Sequence, residues 1–265
     1  MILTLAYLIG AGLVAGFLAG LLGIGGGIVT IPVLFILFDQ LGTPIEWRMH
    51  AAIATSLAII VATNISSVLA HHKKGSVDWG IIKDWWLLAA VGAVLGSIFA
   101  TTLKTVELVY FFATLAGFMA VKMLFPIEKW TLGKSLPGGI FNYTNPGIIG
   151  FFSALMGIGG GSFSVPYMTL YSVPIHRAVG TASFIGLVIS VAGGLGYLVG
   201  GQGIQGLPAG SVGFIHLPYA VGIAIAAIFT APLGARAAHK LPRAALSVLF
   251  GIFLIAATFR LVNAV

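Results

Sequence analysis

The sequence predicts an all-α polytopic membrane protein made of two inverted five-element repeats with glycine-broken hairpins, about ten membrane elements in total. Three observations support this fold class. Of the 265 residues, 59% are hydrophobic and only 7% are charged, whereas about 25% of a soluble domain is charged. A glycine-rich motif occurs twice, and the apolar stretches number five in each half.

The membrane elements are predicted from apolar stretches, because a helix needs about 20 apolar residues to cross the hydrocarbon core. These stretches are 4–22, 28–38, 49–70, 85–103, 108–125, 146–157, 161–172, 178–199, 214–235 and 244–262. Three of them have only 11 or 12 residues, which at ~1.5 Å per residue cross about half of the core. We therefore expect re-entrant hairpins at 4–38 and 146–172. The arm 4–22 is long enough to cross fully, so the depth of the first hairpin stays open.

The formal net charge of +7 is explained by membrane topology. With the N-terminus outside, ten basic residues fall in inside loops and three, Arg48, Lys104 and Arg260, fall outside. An excess of basic residues on the inside is the normal pattern of membrane proteins. The charge therefore predicts no nucleic-acid partner. We expect a bacterial-type inner (plasma) membrane, with the lipid bilayer as partner and both termini outside.

Internal repetition is the strongest structural signal. Residues 16–32 read GFLAGLLGIGGGIVTIP and residues 150–166 read GFFSALMGIGGGSFSVP, with nine of 17 positions identical. Further along, residues 50–75 align with residues 176–201. The chain therefore consists of two copies of one structural unit.

The copies predict three segments: a first transmembrane repeat at 1–130, a connector at 131–145 and a second repeat at 146–265. Because each repeat has an odd number of elements, the second must enter the bilayer from the opposite side. Inverted repeats with a broken helix at the same place in both halves are typical of secondary transporters, which bind substrate where the breaks meet.

The glycine runs form the main candidate binding site, which comprises Gly25, Gly26, Gly27, Gly159, Gly160, Gly161 and Ser162. Consecutive glycines let a ligand approach the main chain, and irregular backbone in a bilayer needs protein or a water-filled cavity around it. A short helix is predicted to start after each run. Its free N–H groups and the positive end of its dipole favour an anion. The alternative role of glycine, close helix packing, is expected for Gly12, Gly16 and Gly20.

The duplicated G-x-G-G-G-x-x-x-x-P motif is followed in each half by a segment of the type H-x-A-x-x-T. This combination resembles the sulfite exporter TauE/SafE family, over essentially the entire chain. The resemblance implies a multi-spanning transporter of small sulfur-containing anions, sulfite or organosulfonates such as sulfoacetate. The usual Thr-Ser pair of the second-half motif is replaced here by Thr181-Ala182-Ser183.

Polar side chains on the long helices after the hairpins are further candidates. The hydroxyls of Thr55, Ser56, Thr181 and Ser183 can donate to sulfonate oxygens, although such hydroxyls also bond to their own helix. Asn64 is a candidate because a buried amide in a membrane span often faces a cavity.

Charged and titratable candidates lie at the predicted helix starts. Arg177 offers bidentate donors to an arriving oxyanion, or it anchors the helix at the inner face. His50 and His176 are the only histidines at matching positions of the two repeats. They are candidates for pH sensing or, when protonated, for anion binding, with helix capping as the alternative.

Residue types that are missing narrow the function. No Asp or Glu lies deep in a predicted span, which argues against a carboxylate proton relay. There is no cysteine, and no metalloprotease, hydrolase or Walker motif, so we expect no enzyme activity, no metal and no cofactor.

The sequence thus predicts a transporter that binds its anion at the midplane between the two breaks and works by alternating access. The alternatives are a permease for another small anion such as a carboxylate, a passive anion channel, and a non-transporting scaffold. The exact substrate, the direction of transport, ion coupling and oligomeric state are left open.

Overall fold

The computed structural model describes residues 10, 12–14, 16, 17, 26–124, 131–238 and 243–265. Gly25 and most of the first predicted arm lie outside the described residues. The described helices are α1 (Gly27–Gln40), α2 (Ile45–Lys73), α3 (Trp79–Thr102), α4 (Thr105–Leu124), α5 (Ile140–Leu155), α6 (Gly161–Leu170), α7 (Ile175–Gly200), α8 (Leu217–Ala238) and α9 (Arg243–Val262). Residues 12–14, 16 and 17 are helical as well. The prediction of a mainly helical polytopic protein is confirmed.

Three helices, α2, α3 and α7, are long and apolar enough to cross a membrane by length and composition. Large apolar side chains point outward along the described helices: Leu95 is 56% exposed, Phe118 68% and Phe229 72%. Outward-facing side chains of this kind suit a hydrocarbon environment. The total of ten membrane elements stays a prediction.

The helices α2 and α7 have the same local structure at both ends. Each follows a proline, Pro44 with φ −52° and ψ 138° and Pro174 with φ −56° and ψ 136°. Each ends at a residue with φ −91° and ψ 2°, Lys74 in α2 and Gly201 in α7. The two helices pack against each other at the centre of the molecule.

Glycines bring α3 and α5 into direct backbone contact. A Cβ atom on Gly92 would overlap the carbonyl oxygen of Gly147, and one on Gly96 would overlap that of Phe151. In turn, a Cβ on Gly150 would overlap the carbonyl oxygen of Ala89. Small residues allow this approach between membrane helices, whose association relies on close packing.

The helix α5 begins at Ile140, six residues before the predicted arm and within the segment 131–145 predicted as connector. Its first turns contain polar residues, so this part of the helix was not recognised as an apolar stretch in the sequence. The Trp85 indole N–H donates to the Asn142 side-chain oxygen over 3.0 Å, and the Asn145 amide bonds to the Tyr167 hydroxyl. Contacts with α3 and α6 thus satisfy these amides and extend the helix.

A two-stranded antiparallel hairpin between α7 and α8 departs from the all-α prediction. Strand β1 (Ser211–Val212) pairs with β2 (Ile215–His216), with Ser211 opposite His216. Phe214, at the turn, is buried with 1% exposure, and its ring stacks on that of His50 at 5.2 Å. The hairpin is therefore part of the packed interior.

Candidate functional site

The ends of the two glycine runs touch each other. A Cβ atom on Gly27 would lie 2.5 Å from the carbonyl oxygen of Gly157 and 3.0 Å from the Cα of Ile158. No side chain fits between these backbones. The two runs thus lie at one place in the molecule.

Each described glycine run ends where a helix begins, which confirms the prediction of short helices after the runs. Gly26 precedes α1 with φ 74°, a left-handed conformation that glycine adopts without strain. Its carbonyl accepts the N–H groups of Val29 and Thr30. Gly160 precedes α6, and its carbonyl accepts those of Phe163 and Ser164.

Neither helix start carries an acidic residue in its first turn, and neither is capped by a side chain of its N-cap residue. The first N–H groups of a helix have no partner within the helix, and the dipole makes this end positive. The local field at both breaks therefore favours an anion.

A chain of hydroxyl groups joins the first repeat to the second break. The Ser56 hydroxyl donates to the Gly157 carbonyl oxygen over 3.0 Å and lies 2.8 Å from the Thr30 hydroxyl. The Thr30 hydroxyl also lies 3.1 Å from the Gly27 carbonyl oxygen. Each hydroxyl has a single hydrogen to donate. The hydroxyls of Ser56 and Thr30 therefore share two hydrogens among these three contacts.

The sequence did not predict a role for Thr30, although a signal was present. Thr30 and Ser164 occupy the same position of the repeated motif, two residues before its proline. Both are buried hydroxyls. At the position of Ser56, however, the second repeat has Ala182.

Ser164 therefore lacks the partner that Thr30 has. Its hydroxyl is fully buried and forms no hydrogen bond within the described part of the chain. Ser153, four residues before Gly157, has a hydroxyl in the same situation. Unpaired buried hydroxyls are unusual because each costs about 1–3 kcal/mol, so two beside one glycine run mark a place for a further polar group.

Asn64 lies against the same break. A Cβ atom on Gly186 would lie 2.7 Å from the Asn64 amide nitrogen and 3.3 Å from the main-chain nitrogen of Gly160. The amide is thus beside the start of α6, and Asn64 is only 5% exposed. It forms no hydrogen bond with another described residue. Asn64 was predicted as a site residue, and its position beside Gly159 and Gly160 fits that role.

The predicted threonines, by contrast, have partners within the protein. Thr55 accepts the main-chain N–H of His216 over 3.1 Å, and Thr181 accepts that of Asp78 over 2.9 Å. Both threonines are fully buried. Their hydroxyls hold the loops that follow α7 and α2.

Ser183 lies away from the break and meets α2. Its hydroxyl is 2.9 Å from that of Ser67 and also donates to the Val179 carbonyl oxygen over 2.9 Å. Ser162, at the start of α6, is 2% exposed.

The structure does not bring His50, His176 and Arg177 together. His50 lies in the second turn of α2, not at the helix start, because α2 begins at Ile45. It is buried, and its Nε2 is 3.2 Å from the Ala100 carbonyl oxygen and 3.0 Å from that of Leu103. His176 is exposed at the start of α7.

Arg177 is half exposed beside His176 and pairs with Asp78, with 3.1 Å between Nη2 and Oδ2. The carboxylate of Asp78 also caps α3 by accepting the N–H groups of Gly80 and Ile81. Pairing with an opposite charge leaves Arg177 fewer donors for an oxyanion. Its predicted role as a substrate ligand stays a prediction.

A shallow cleft of about 380 Å³ lies next to this ion pair, lined by Asp78, Asp84, Trp85, Asn142 and the segment 136–138. It is separate from the glycine breaks. Within the described ranges there is no group of three or more His, Asp or Glu side chains able to hold a metal ion.

Comparison with known proteins places the chain in one family. The family model of the sulfite exporter TauE/SafE matches residues 8–261. A probable membrane transporter protein of Haemophilus influenzae is 36% identical over 260 residues, which cover 96% of this chain and 95% of the relative. One from Bacillus subtilis is 25% identical, with 96% and 95% covered. One from Methanocaldococcus jannaschii is 29% identical, with 91% and 88% covered.

No solved structure matches the chain. The apolar helices and the family agree on an integral membrane protein. The family match extends over both glycine motifs and both long helices. This chain belongs to the sulfite exporter TauE/SafE family.

Proposed function

We propose that the protein is a membrane transporter that binds a small sulfur-containing anion, sulfite or an organosulfonate such as sulfoacetate, at the glycine breaks. The observation that carries the proposal is the group of unpaired polar side chains at the second break. Ser153 and Ser164 are buried beside the Gly157–Gly161 run, and their hydroxyls have no partner among the described residues. The Asn64 amide lies beside the same run.

The chemistry of these groups suits an oxyanion. A serine hydroxyl, an amide NH2 and the main-chain N–H at the start of α6 can all donate hydrogen bonds. A sulfonate has three acceptor oxygens and no donor, so it needs a donor-rich environment. The dipole of α6 adds positive potential, as at other anion sites on helix N-termini.

Two inverted repeats support transport by alternating access. The ends of α2 and α7 share their backbone conformations, and α1 contacts α2 as α6 contacts α7. The inverted relation itself and the division at 130 and 146 are part of the proposal. In it, the two halves rock around the meeting point of Gly27 and Gly157.

The predicted topology completes the proposal. With the protein in a bacterial-type inner membrane and both termini outside, the loop after α2 faces inward. The family resemblance and the relatives' names support transport. The unpaired polar groups among the described residues support the proposal that the substrate is an anion.

Flux measurements in liposomes containing the purified protein test the function. We expect saturable uptake of labelled sulfite or sulfoacetate, competed poorly by acetate. Uptake of acetate alone would keep an anion permease and discard the sulfur substrate. Flux without saturation would indicate a passive anion channel. No flux would favour the alternative of a non-transporting scaffold.

Two substitutions test the location of the site. Asn64→Asp keeps the shape of the side chain but adds a negative charge, so sulfite binding should weaken by at least roughly tenfold, since a hydrogen bond to a charged group contributes about 1.5–3 kcal/mol. Ser190→Ala is the matched control. Ser190 occupies the equivalent position in α7, and its hydroxyl donates to the Gly186 carbonyl oxygen of its own helix over 2.7 Å. Equal binding by Asn64→Asp and wild type would place the site elsewhere.

A further inference from the structure

The contact between α2 and α7 has two halves of different polarity. We define the Asp78 face as the end of the molecule where α2 ends and α7 begins, and the His216 face as the opposite end. The glycine breaks lie between them, beside Gly186 of α7.

The half that leads to the Asp78 face is polar. From the break outward, Asn64 lies against Gly186, the Ser67 hydroxyl meets that of Ser183 at 2.9 Å, and the Cβ of His71 approaches Gly180. Asn64, Ser67 and His71 are spaced by three and four residues, which places them on one face of α2. They form a continuous polar line along the contact with α7, which we name the polar seam.

The half that leads to the His216 face lacks a hydroxyl pair at the positions equivalent to Ser67 and Ser183. The aligned segments are offset by 126 residues, so Ser183 corresponds to Leu57 and Ser67 to Gly193. In the structure a Cβ atom on Gly193 would lie 3.3 Å from the Leu57 Cδ1. At this place the Leu57 methyl group packs against Gly193, where the other half has the pair of hydroxyls.

The segment 74–78 closes the outer end of the polar seam. Its Asp78 N–H donates to Thr181 over 2.9 Å, and the Asp78 carboxylate pairs with Arg177. The Ser76 carbonyl oxygen packs onto Gly180 so closely that a Cβ there would overlap it. Val77 of this segment is buried and belongs to a hydrophobic cluster that includes Ala178 of α7. Arg177 is 57% exposed in its side chain.

The His216 face is closed more firmly. There the N–H of His216 donates to Thr55, the counterpart of Thr181. In addition, Phe214 and His216 are buried, and the Phe214 ring packs against Trp47, His50 and Tyr197.

We propose that the polar seam is the route by which the substrate anion moves between the glycine breaks and the Asp78 face, and that the segment 74–78 is its gate, latched by Thr181 and Arg177. Opening requires loss of the Asp78–Thr181 hydrogen bond, loss of the Asp78–Arg177 ion pair and exposure of the buried Val77 side chain. The hydroxyls of Ser67 and Ser183 then replace water around the passing anion. The identity of the anion that moves along this route rests on the proposed function, whereas the gate itself does not.

Cysteine accessibility tests the gate directly, because the chain contains no cysteine of its own. Ser183→Cys places one thiol within the seam, and Leu57→Cys places one at the equivalent apolar position as a matched control. Lys73→Cys, exposed at the Asp78 face, identifies the side of the vesicle to which that face points. The probe is a charged maleimide that does not cross membranes.

In the Ser183→Cys background, Arg177→Gln or Asp78→Asn should raise the labelling rate several-fold from the side that labels Lys73→Cys. Leu57→Cys should not respond. Thr181→Val, which keeps the shape of the side chain and removes the acceptor, should act like Arg177→Gln and serves if the charge variants fold poorly. Size-exclusion chromatography identifies folded samples.

Labelling of Ser183→Cys that ignores all three latch substitutions, or equal labelling of Leu57→Cys, would overturn the proposal. These outcomes do not depend on the substrate. If the latch substitutions raise the labelling rate in a protein that does not transport sulfite, the gate is supported and the sulfur substrate is rejected. If the protein transports sulfite but the latch substitutions leave the labelling rate unchanged, the function is supported and the gate is rejected.

Discussion

The Ser56 hydroxyl donates a hydrogen bond over 3.0 Å to the carbonyl oxygen of Gly157, 101 residues further along the chain. This bond joins the long helix of the first predicted repeat to the glycine break of the second. Several consequences can be measured in the purified protein.

Removal of the Ser56 hydroxyl should loosen this junction. In Ser56→Ala the Gly157 carbonyl loses its donor and the Thr30 hydroxyl loses a partner. We expect a loss of about 1–2 kcal/mol in the free energy of unfolding, seen as a lower melting temperature in detergent. Thr114→Ala is the control, because Thr114 is exposed and its hydroxyl bonds within its own helix. An equal effect of both substitutions would contradict the junction.

The reverse change, Ala182→Ser, should supply Ser164 with the partner that Thr30 has in Ser56. Satisfying a buried hydroxyl contributes about 0.5–1.5 kcal/mol, so we expect a higher melting temperature. If Ser164 binds the anion, sulfite affinity should fall in the same variant. Higher stability with unchanged affinity would remove Ser164 from the site.

Gly157 has φ 63° and no room for a side chain. A Cβ atom would lie 2.9 Å from the Ile53 Cγ2 and 3.0 Å from its Cα. Gly157→Ala should therefore destabilise the protein by about 1–3 kcal/mol through strain and overpacking. Gly117→Ala, at a helical position with open space around it, should be neutral or slightly stabilising. Thermal unfolding of both variants checks the difference.

His216 should make the hairpin sensitive to acid. Its Nδ1 accepts the Tyr219 N–H over 3.3 Å, which places the proton on Nε2, 3.2 Å from the Ala209 carbonyl oxygen. Protonation of this Nδ1 would remove the acceptor of the Tyr219 N–H. The folded protein therefore binds this proton less readily than the unfolded chain, and stability falls as the pH drops below about 6.5.

Melting temperatures at pH 7.5 and pH 5.5 measure this effect. We expect a smaller decrease in His216→Asn, whose side-chain oxygen can still accept the Tyr219 N–H, than in wild type. His72→Asn, at an exposed histidine, should keep the wild-type decrease. The same decrease in all three proteins would exclude His216 as its source.

The features that the sequence predicted well are local or repeated. Three consecutive glycines favour a break between helices, so the starts of α1 and α6 followed from residues 23–27 and 157–161. Family membership followed from the same motif. Asn64 lies beside the second break, and its role as a site residue stays a prediction.

The features that were missed depend on contacts between distant segments. The hairpin at 211–216 lies in a glycine-rich stretch with little strand signal, and it is held by Thr55, 161 residues away. His50 and His176 match in sequence but differ in burial, because α2 begins five residues before His50 and α7 only one before His176. The Ser164 hydroxyl has no partner among the described residues, and Ala182 stands where the first repeat has Ser56.

The exchange of serine for alanine between Ser56 and Ala182 has a consequence for stoichiometry. A chain that duplicates its glycine motif offers two half-sites, and perfect symmetry would allow two equivalent ligands. Here the Thr30 hydroxyl lies within hydrogen-bond distance of that of Ser56, whereas the Ser164 hydroxyl has no hydrogen bond with any described residue. We therefore expect calorimetric titration to yield one bound anion per chain. The second copy of the motif would bind this anion, and the first copy would support the second structurally.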